Sequence, residues 1–451
     1  KRVIVENASQ ISKILGIKEK LPLVNELIVF ESPSDKDLEA TKAAGVTLYS
    51  FEQIVEDGKK YNAEHPGKVD EEMDKGNWDD LATIIFTSGT TGKPKGVMLS
   101  HGNFITQLDE VCERIYLYPG DRGMMVLPVW HAFQRAVEYV VLNQGATICY
   151  SKPVGPVLLA DLKTLNPQVL PAVPRVFEAV YDGIYRNMRK TGGITLRVFN
   201  FFVTVALFHS KLDRVLFDRT TRYGMDKRWL QWPAFVLPWL IFYPIKLLGG
   251  AIVFRKIRKM LGTNFRSGVA GGGALPPAVD KFFWAIGVKL VEGYGLTETS
   301  SGVAISTHGD PRAMDVCPDD EITLAADGEL LISAPTCMMQ GYYKRPEDTA
   351  RALAGGVLHT GDLGRFDAEG RLHITGRKKD ILVLPDGTKL FLPEYEAALM
   401  RALDHTELAV TLQNGRPVLV WSGEGDRAAI AERLRPVMAA LPRGRQLAGI
   451  I

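Results

Sequence analysis

Apolar and polar positions along the chain follow two alternating patterns. In residues 1–56, short apolar runs typical of strands (VIVE, ELIVFE and VTLYS) alternate with helical patterns (SQISKILGI and KDLEATKAAGV). Strands that alternate with helices at this spacing indicate a parallel α/β layer. The same alternation runs from LATIIF, a short strand of the buried type, to about residue 180, with strands GMMVLPV, ATICYS and VLPAV and helix RAVEYVVL. The pattern therefore predicts an α/β fold.

Other stretches do not show this alternation of strands and helices. Residues 57–79 are charged and rich in turn formers, which predicts an exposed connection. EITLAADGELLISAP to RLHITGRKKDILV predicts antiparallel hairpins, and the segment from about Arg377 reads strand, helix, strand, helix. We predict a large domain of layered α/β subdomains at 1–376, incomplete at its N-terminus. A smaller, incomplete α+β domain is predicted at 377–451.

An apolar and basic insertion at about 181–265 stands apart from this layering. No acidic residue occurs from Lys227 to Val279, whereas eight Lys or Arg residues do. Tryptophans at 229, 232 and 239 are interleaved with them. This composition suits an amphipathic surface in a membrane interface, where basic residues meet anionic lipid. We therefore predict peripheral membrane contact through about 227–262.

Two alternatives remain open for this insertion. It could form a helical hairpin buried within the protein. It could also span a membrane, which needs about 20 apolar residues. The uncharged run between Arg228 and Lys246 has 17 residues and contains Pro233, Pro238 and Pro244. Because proline interrupts helices, a span is disfavoured.

Composition narrows the functional class. The chain has 451 residues, 46% of them hydrophobic, and a formal charge of +2. These values exclude disorder and a globally basic nucleic-acid binder. The four cysteines, at 112, 149, 317 and 337, are far apart and form no C-x-x-C. They signal neither a zinc site nor a disulfide framework, which favours a reducing, cytoplasmic setting.

The sharpest local feature is the loop Thr87–Gly96, TSGTTGKPKG. Glycines let the backbone approach an anion, and amides, hydroxyls and ammonium groups all favour phosphate oxygens. The loop is not a Walker A sequence, because Pro94 follows Gly-Lys where Ser or Thr is needed. A flexible polar turn is the alternative. The strand before the loop and the capping Ser100 after it favour the phosphate interpretation.

Four motifs occur in order: TSGTTGKPKG at 87–96, EGYGLTETS at 292–300, HTGDLG at 359–364 and GRKKD at 376–380. In this set the chain resembles the adenylate-forming (AMP-binding) enzymes. The stretches WHAFQR at 130–135 and VPRVFEAVYDGI at 173–184 resemble the long-chain fatty acyl-CoA synthetase and acyl-carrier-protein synthetase branch. The resemblance covers essentially the whole chain.

The resemblance implies a role for each motif. Glu298 would ligate Mg²⁺, Thr297 would bond the α-phosphate, and His131 would position the acid. The nucleotide-binding residues it implies are Thr87, Ser88, Gly89, Thr90, Thr91, Gly92, Lys95, Gly272, Gly273, Ala274, Tyr294, Asp362 and Arg377. The alternatives are a solvated Glu298, an exposed turn aspartate at 362, a plain loop at 271–274 and a core histidine at 131.

The implied function is ATP-dependent activation of a long-chain fatty acid through an acyl-adenylate, with transfer to coenzyme A. ATP and Mg²⁺ are the implied cofactors, and coenzyme A is the co-substrate. Acyl carrier protein as acceptor, or a nucleotide-binding protein without full turnover, are the alternatives. No nucleic acid is expected as a partner. The expected location is cytoplasmic, with peripheral contact at the inner face of a membrane as the further option.

Two departures from the family pattern shape a last expectation. The chain begins at Lys1 in a strand pattern and stops at Ile451, before the family's C-terminal lysine motif would come, so both ends look cut. We therefore expect this piece to bind ATP and AMP but to adenylate poorly. The stretch after the hinge position Lys379 reads DGTKLFLP at 386–393. It departs from the family's usual sequence there, which weakens the assignment of the small domain.

Overall fold

The structure is a computed structural model, and the chain falls into two compact units, Lys1–Asn77 and Trp78–Ile451. The structure describes residues 1–87, 94–112, 115, 117–217, 228–306, 313–385, 389–403, 408–422, 426–442 and 445–451. The predicted boundary between residues 376 and 377 stays a prediction.

The first unit is a small parallel α/β layer, as its pattern predicts. Its elements are β1 Arg2–Val5, α1 Ala8–Gly16, β2 Glu26–Val29, α2 Asp35–Ala43, β3 Thr47–Ser50, α3 Phe51–Glu64 and α4 Lys68–Met73. The strands pair in parallel in the order β1-β2-β3. Ile11 and Leu27 are buried in its core, because apolar faces of a helix and a sheet pack together.

The exposed connection predicted at 57–79 is wrong in its secondary structure, since helices α3 and α4 occupy most of it. The Ser50 hydroxyl caps α3 by accepting the backbone N–H of Gln53 (3.1 Å). Lys59 pairs with Glu56 three residues earlier, at 2.6 Å. Charged residues at this spacing stabilise an exposed helix, so the charge density that suggested a loop belongs to a solvated helix face.

The second unit contains the remaining elements. Its strands are β4 Leu81–Thr87, β5 Lys95–Ser100, β6 Arg122–Met125, β7 Thr147–Tyr150, β8 Val169–Ala172, β9 Ser267–Ala270, β10 Lys289–Tyr294, β11 Ala304–Ile305, β12 Asp315–Val316, β13 Glu321–Leu324, β14 Glu329–Ser333, β15 Gly341–Tyr342, β16 Leu358–Phe366, β17 Leu372–Arg377, β18 Ile381–Val383, β19 Lys389–Phe391, β20 Leu408–Gln413, β21 Arg416–Trp421 and β22 Gly449–Ile450. Its helices are α5 His101–Cys112, α6 Ala132–Asn143, α7 Gly155–Leu165, α8 Pro174–Thr191, α9 Gly193–Leu216, α10 Arg228–Gly249, α11 Arg255–Leu261, α12 Pro277–Ala285, α13 Pro346–Ala352, α14 Leu392–Leu403 and α15 Arg427–Ala439.

A seven-stranded sheet in the order β12-β11-β10-β9-β8-β6-β7 forms the centre of this unit. The strands from β6 to β10 pair in parallel, and β11 and β12 are antiparallel. Successive side chains point to opposite faces of a strand. Accordingly, Met124 packs into a core with α8, α9 and α12, and Met125 packs into a second core with α6. The sheet is covered on both faces, as the α/β prediction requires.

LATIIF is not a buried strand of the parallel layer, which corrects that prediction. It forms β4, at the edge of a three-stranded antiparallel sheet β15-β5-β4. Within β4 only Ile85 is buried, and Phe86 is 66% exposed, because an edge strand of a small sheet has little to cover it. Ser100 does cap α5: its hydroxyl accepts the Asn103 N–H (3.2 Å), and the Asn103 side chain accepts the Ser100 N–H (2.9 Å).

The hairpins predicted near the C-terminal part are present. Strands β13, β14, β16 and β17 form a four-stranded antiparallel sheet in that order. Next come the hairpin β18-β19, α14, the hairpin β20-β21, α15 and β22. The predicted order of strand, helix, strand, helix therefore holds, with a hairpin in each strand position.

The apolar insertion is helical, and its prolines do not interrupt it as expected. Helix α10 runs through all three and continues through a π-helical turn, Gly250–Phe254, into α11. A proline removes only one backbone bond, and packing can hold the helix across it. Here Phe242 packs edge-to-face against Phe208 of α9, with ring centroids 5.1 Å apart, and the indole N–H of Trp239 donates to Asp213 (3.2 Å).

Candidate functional site

The second unit contains a cavity of about 730 Å³ at the carboxyl ends of β9 and β10. Open parallel sheets bind ligands at this edge. Part of its lining is a cluster of apolar side chains, and part carries charged and hydroxyl groups. The apolar wall consists of Val111, Ile115, Phe133, Ala136, Val137, Val269 and Ile305.

The cavity collects most of the described residues that the sequence singled out. Its lining includes Thr87, Lys95, His131, Gly272, Tyr294, Thr297, Glu298 and Arg377. Gly273, Ala274 and Asp362 are not part of the lining. Ser88, Gly89, Thr90, Thr91 and Gly92 lie outside the described residues. The polar wall is therefore formed by residues from separate motifs, as the resemblance implies.

A tight turn after β10 presents Thr297 and Glu298. A Cβ atom on Gly295 would lie 1.5 Å from the carbonyl oxygen of Ser301, so only glycine fits there. Gln107 on α5 holds the far end of the turn. Its side chain accepts the N–H of Gly302 and donates to the Gly302 carbonyl, both at 2.9 Å. The turn is thus fixed to a helix that also borders the cavity.

Tyr342 links Lys95 to Glu298, and Asp348 pairs with Lys95; the sequence predicted neither contact. The Tyr342 hydroxyl donates to Glu298 Oε1 at 2.8 Å. The Lys95 ammonium lies 4.9 Å from the centre of the Tyr342 ring and 3.2 Å from the carboxylate of Asp348. Hydrogen bonding from Lys95 holds the pKa of Asp348 below its usual range. The predicted phosphate-binding cation thus already has an acidic partner.

Asp362 is buried behind Tyr294. Its Oδ2 accepts the Tyr294 hydroxyl at 2.8 Å, and its Oδ1 lies 2.7 Å from Nε of Arg377. Burial raises the pKa of Asp362, although Arg377 and Tyr294 both act to lower it. Burial and the neighbouring carboxylate raise the pKa of Tyr294 as well, so its hydroxyl stays protonated. The residues that line the cavity here are Thr360, Gly361, Tyr294 and Arg377.

Glu329 is a second carboxylate on the cavity wall that the sequence did not reveal. It accepts the N–H of Gly361 (2.8 Å) and the Lys378 ammonium (2.9 Å). Burial by itself raises its pKa, but these two hydrogen bonds hold the pKa of Glu329 below its usual value. Glu329 therefore fixes the turn that precedes Asp362.

His131 caps α6. Its Nδ1 accepts the backbone N–H of Phe133 at 3.2 Å, and burial lowers its pKa. A neutral imidazole that accepts at Nδ1 carries its proton on Nε2. His131 is therefore a neutral donor at the polar edge of the apolar wall. The positioning role implied by the resemblance stays a prediction.

The loop after β9 needs glycine for two reasons. A Cβ on Gly271 would come 3.1 Å from the Phe133 ring, and Gly272 has a φ of +76°. Such backbone is strained for other residues. A flat, side-chain-free surface therefore lies beside the apolar wall.

The donor set fits magnesium held together with a nucleotide. Over the described ranges, no group of three His, Cys, Asp or Glu side chains could hold a metal ion. Mg²⁺ usually takes one or two protein carboxylates and completes its shell with water and substrate phosphates. Glu298, which has one oxygen bonded to Tyr342, matches that requirement.

Tyr342, Asp348, Glu329 and Gln107 had little sequence signal. Asp348 lies in the first turn of α13 after Pro346, where acidic residues are common for helix stability alone. Nothing local to Tyr342 links it to Glu298, 44 residues earlier. Only the fold brings these side chains to the motifs.

Comparison with known proteins agrees with this geometry. The chain is 31% identical to a long-chain-fatty-acid–[acyl-carrier-protein] ligase, AEE15, of Arabidopsis thaliana over 85% of the chain and 56% of that ligase. It is 33% identical to the long-chain-fatty-acid–CoA ligase FadD15 of Mycobacterium bovis over 75% of the chain and 53% of that ligase. The chain thus spans about half the length of these curated relatives.

The fold is also shared with a solved structure. O-succinylbenzoate coenzyme A synthetase from Bacillus subtilis, in complex with ATP and magnesium, matches with a TM-score of 0.59 at 18% identity. The match covers 99% of this chain and 78% of that one. This likeness confirms the α/β fold class. A model of the AMP-binding enzymes matches residues 2–343, more than half of the chain, so the chain belongs to the AMP-binding enzyme family.

Proposed function

We propose that the full-length protein is an AMP-forming ligase that activates long-chain fatty acids and transfers them to coenzyme A. One observation carries the proposal: a single cavity is lined both by Lys95, Thr297 and Glu298 and by an apolar wall. A nucleoside triphosphate suits the first set of residues, and an aliphatic chain suits the second. Family membership and the names of the two ligases support the same activity.

The proposed reaction has two steps. A carboxylate oxygen attacks the α-phosphorus of ATP, and pyrophosphate leaves. A thiol then attacks the acyl carbon, loses its proton, and AMP leaves. Mg²⁺ would neutralise phosphate charge, held by Glu298. Lys95 and Thr297 would bind phosphate oxygens, which favours the transition state by placing positive charge where negative charge develops.

The remaining residues would orient the nucleotide. Tyr294 would lie along the adenine, and Asp362 would accept the ribose hydroxyls beside Arg377. Because Tyr294 and Arg377 already occupy Asp362, nucleotide binding would exchange one of these partners for a hydroxyl. His131 would donate from Nε2 toward the acid.

Acyl carrier protein is the second candidate acceptor. The relative AEE15 is named for transfer to that protein, whereas FadD15 is named for transfer to coenzyme A. Both acceptors present a thiol and acidic groups, so the same cavity serves either.

An exchange assay tests the proposal. Pyrophosphate exchange into ATP would be measured on the full-length protein with palmitate, octanoate, acetate, benzoate and leucine. Thioester formation would then be measured with each acceptor. We expect exchange to be strongest with palmitate. Exchange with leucine and not with palmitate would overturn the substrate class, and no exchange with any acid would overturn the activity.

Peripheral membrane contact is a further part of the proposal. Exposed apolar side chains run along α10 and the turn after it: Trp232, Leu237, Leu240, Ile241, Leu247, Leu248 and Ile252. Lys246, Arg255, Lys256 and Lys259 accompany them without an acidic residue. Apolar side chains with basic neighbours suit an anionic lipid surface. The cytoplasmic location remains a prediction, and AEE15 is named as chloroplastic.

A membrane span is the alternative for the same helices. Among the described residues, Gly193–Leu216 and Ala234–Leu261 are long and apolar enough to cross a membrane. The first is partly buried inside the protein, whereas the second is almost wholly uncovered. Sedimentation with anionic and with neutral vesicles distinguishes the two. Peripheral contact predicts salt-sensitive binding to anionic vesicles, reduced in Leu240→Glu. Retention after alkaline carbonate washing would contradict it.

A further inference from the structure

A second cavity of about 470 Å³ lies between α7, α8 and α11. Its walls include Leu158, Val176, Ile184, Ile257 and Leu261, all of which belong to the main core. Pockets for small ligands typically range from about 300 to 1,000 Å³. Such pockets are lined mainly by apolar side chains with a small number of polar groups.

The side chains of the wall indicate the chemical class of the ligand. No described lining residue is aromatic, and the wall is otherwise built from aliphatic side chains, Met260, glycine and proline. Methionine adapts its shape to flexible ligands. Such a wall has no ring to stack on a base and few polar groups for a sugar. It suits an aliphatic chain.

Two polar residues interrupt the wall, Arg175 and Asn187. Arg175 is the one charged residue in the described lining. It is exposed, and its guanidinium makes no hydrogen bond or ion pair with any residue that the structure describes. A guanidinium presents five N–H donors in a plane, a geometry that matches a carboxylate. The cavity therefore combines an aliphatic interior with one anion-binding group.

This cavity is separate from the nucleotide cavity but adjacent to it. The two share no lining residue. A Cβ on Gly272, which lines the first cavity, would lie 3.8 Å from Cγ1 of Val173, which lines the second. Helix α11, which forms part of the wall, follows α10 through the π-helical turn.

We propose that this second cavity is an accessory binding site for an aliphatic chain with a carboxylate head group. The chain lies between α7, α8 and α11, and the carboxylate pairs with Arg175. The inference is independent of the proposed ligase activity, because binding requires no turnover and uses none of the residues of the first cavity.

Binding of dodecanoate to the full chain tests the site by isothermal titration. An alkylsulfamoyl adenosine, a stable analogue of an acyl-adenylate, is first added in excess to fill the nucleotide cavity. We expect one dodecanoate still to bind. No binding in the presence of the analogue would overturn the proposal. If the analogue itself does not bind, the ligase proposal is in question, and the second cavity is then tested by whether dodecanoate binding is lost in Gly183→Trp.

Gly183→Trp fills the cavity from α8. A Cβ at Gly183 meets no atom within 4 Å, so the new side chain enters open space. We expect at least about a tenfold loss of dodecanoate affinity, equivalent to about 1.4 kcal/mol. The matched control is Asp182→Trp, the neighbouring exposed residue outside the lining. Equal losses in both variants, or no loss in Gly183→Trp, would contradict the site.

Arg175→Gln tests the head group. We expect dodecanoate to bind about tenfold more weakly and dodecanol to bind unchanged, because only the ion carries charge for the guanidinium. Dodecyl phosphate is titrated in parallel. Tighter binding of dodecanoate than of dodecyl phosphate supports a carboxylate site, and the reverse order overturns that assignment. Equal weakening of dodecanol would show that Arg175 acts on the fold instead.

Discussion

The nucleotide cavity and the helical layer formed by α9 and α10 differ in whether their polar side chains have hydrogen-bond or ion-pair partners. In the cavity each carboxylate has a donor: Glu298 has Tyr342, Asp348 has Lys95, and Glu329 has Lys378. In the helical layer, buried His209 lies against the rings of Trp239 and Tyr243, and neither ring nitrogen has a hydrogen-bond partner among the described residues. Paired charges can be exchanged for a charged ligand, whereas an unpaired buried histidine can only be kept neutral.

The largest effect is expected where the cavity would use a charge directly. Glu298→Gln keeps an oxygen for the Tyr342 hydroxyl but removes the charge that would hold Mg²⁺. Loss of a group that stabilises transition-state charge costs on the order of 100-fold or more. Pyrophosphate exchange should fall by that factor.

Glu329→Gln is the matched control for this change. Glu329 also lines the cavity, but its oxygens are occupied by Gly361 and Lys378. It should therefore lose far less exchange than Glu298→Gln. If the two variants lose exchange equally, Glu298 has no special role in holding the metal.

The apolar wall should set chain length rather than nucleotide affinity. Ala136→Leu adds volume at a buried position on α6 that lines this wall. Leucine would occupy volume that the acyl chain needs, and a misfit of one methylene in an apolar pocket is worth about 1 to 3 kcal/mol, so kcat/KM for palmitate should fall about tenfold. Acetate-dependent exchange and the KM for ATP should stay near the parent values. A matching loss with acetate, or a lowered melting temperature, would mean that the fold and not the wall had changed.

The same contrast explains what the sequence could predict. The polar wall follows from short motifs, because a glycine-rich turn and a few side chains next to it form the contacts locally. Thr297 and Glu298 belong to one such turn. Tyr342, which donates to Glu298, and Gln107, which holds Gly302, could not be found. These contacts form between β15, the turn after β10 and α5 only once the sheets assemble.

The helical layer was harder to predict for another reason. Proline is a local signal against a helix, yet Pro238 and Pro244 lie inside α10. Packing of Trp239 and Phe242 against α9 stabilises the helix across these prolines. Likewise, the high density of charged residues in 57–79 suggested a loop. The spacing of the ion pairs, which indicates a solvated helix, is a weaker signal than the number of charges.

A smaller effect is expected from Asp348→Asn. The change releases Lys95 from its acidic partner, so binding a phosphate no longer requires that ion pair to break. Pairs near the surface are worth about 1 kcal/mol or less. The KM for ATP should therefore fall by at most about fivefold. A rise in this KM would show that Asp348 positions Lys95 and does not compete for it.

The last prediction concerns the stability of the helical layer and has the smallest effect on turnover. Burial lowers the pKa of His209 to about 4, Lys246 acts in the same direction, and Asp213 opposes it. In the unfolded chain a histidine titrates near pH 6.5. Between these values the unfolded state binds more protons, so the free energy of unfolding falls as pH falls from about 6.5 to about 4.

Urea denaturation of the parent and of His209→Phe checks this dependence on pH. The control is His65→Phe, which replaces an exposed histidine. The parent and His65→Phe should lose stability together across the window, and His209→Phe should lose less, because its buried ring has no proton to gain. Parallel loss in all three would mean that His209 is not kept neutral, and the contrast with the paired carboxylates of the cavity would fail.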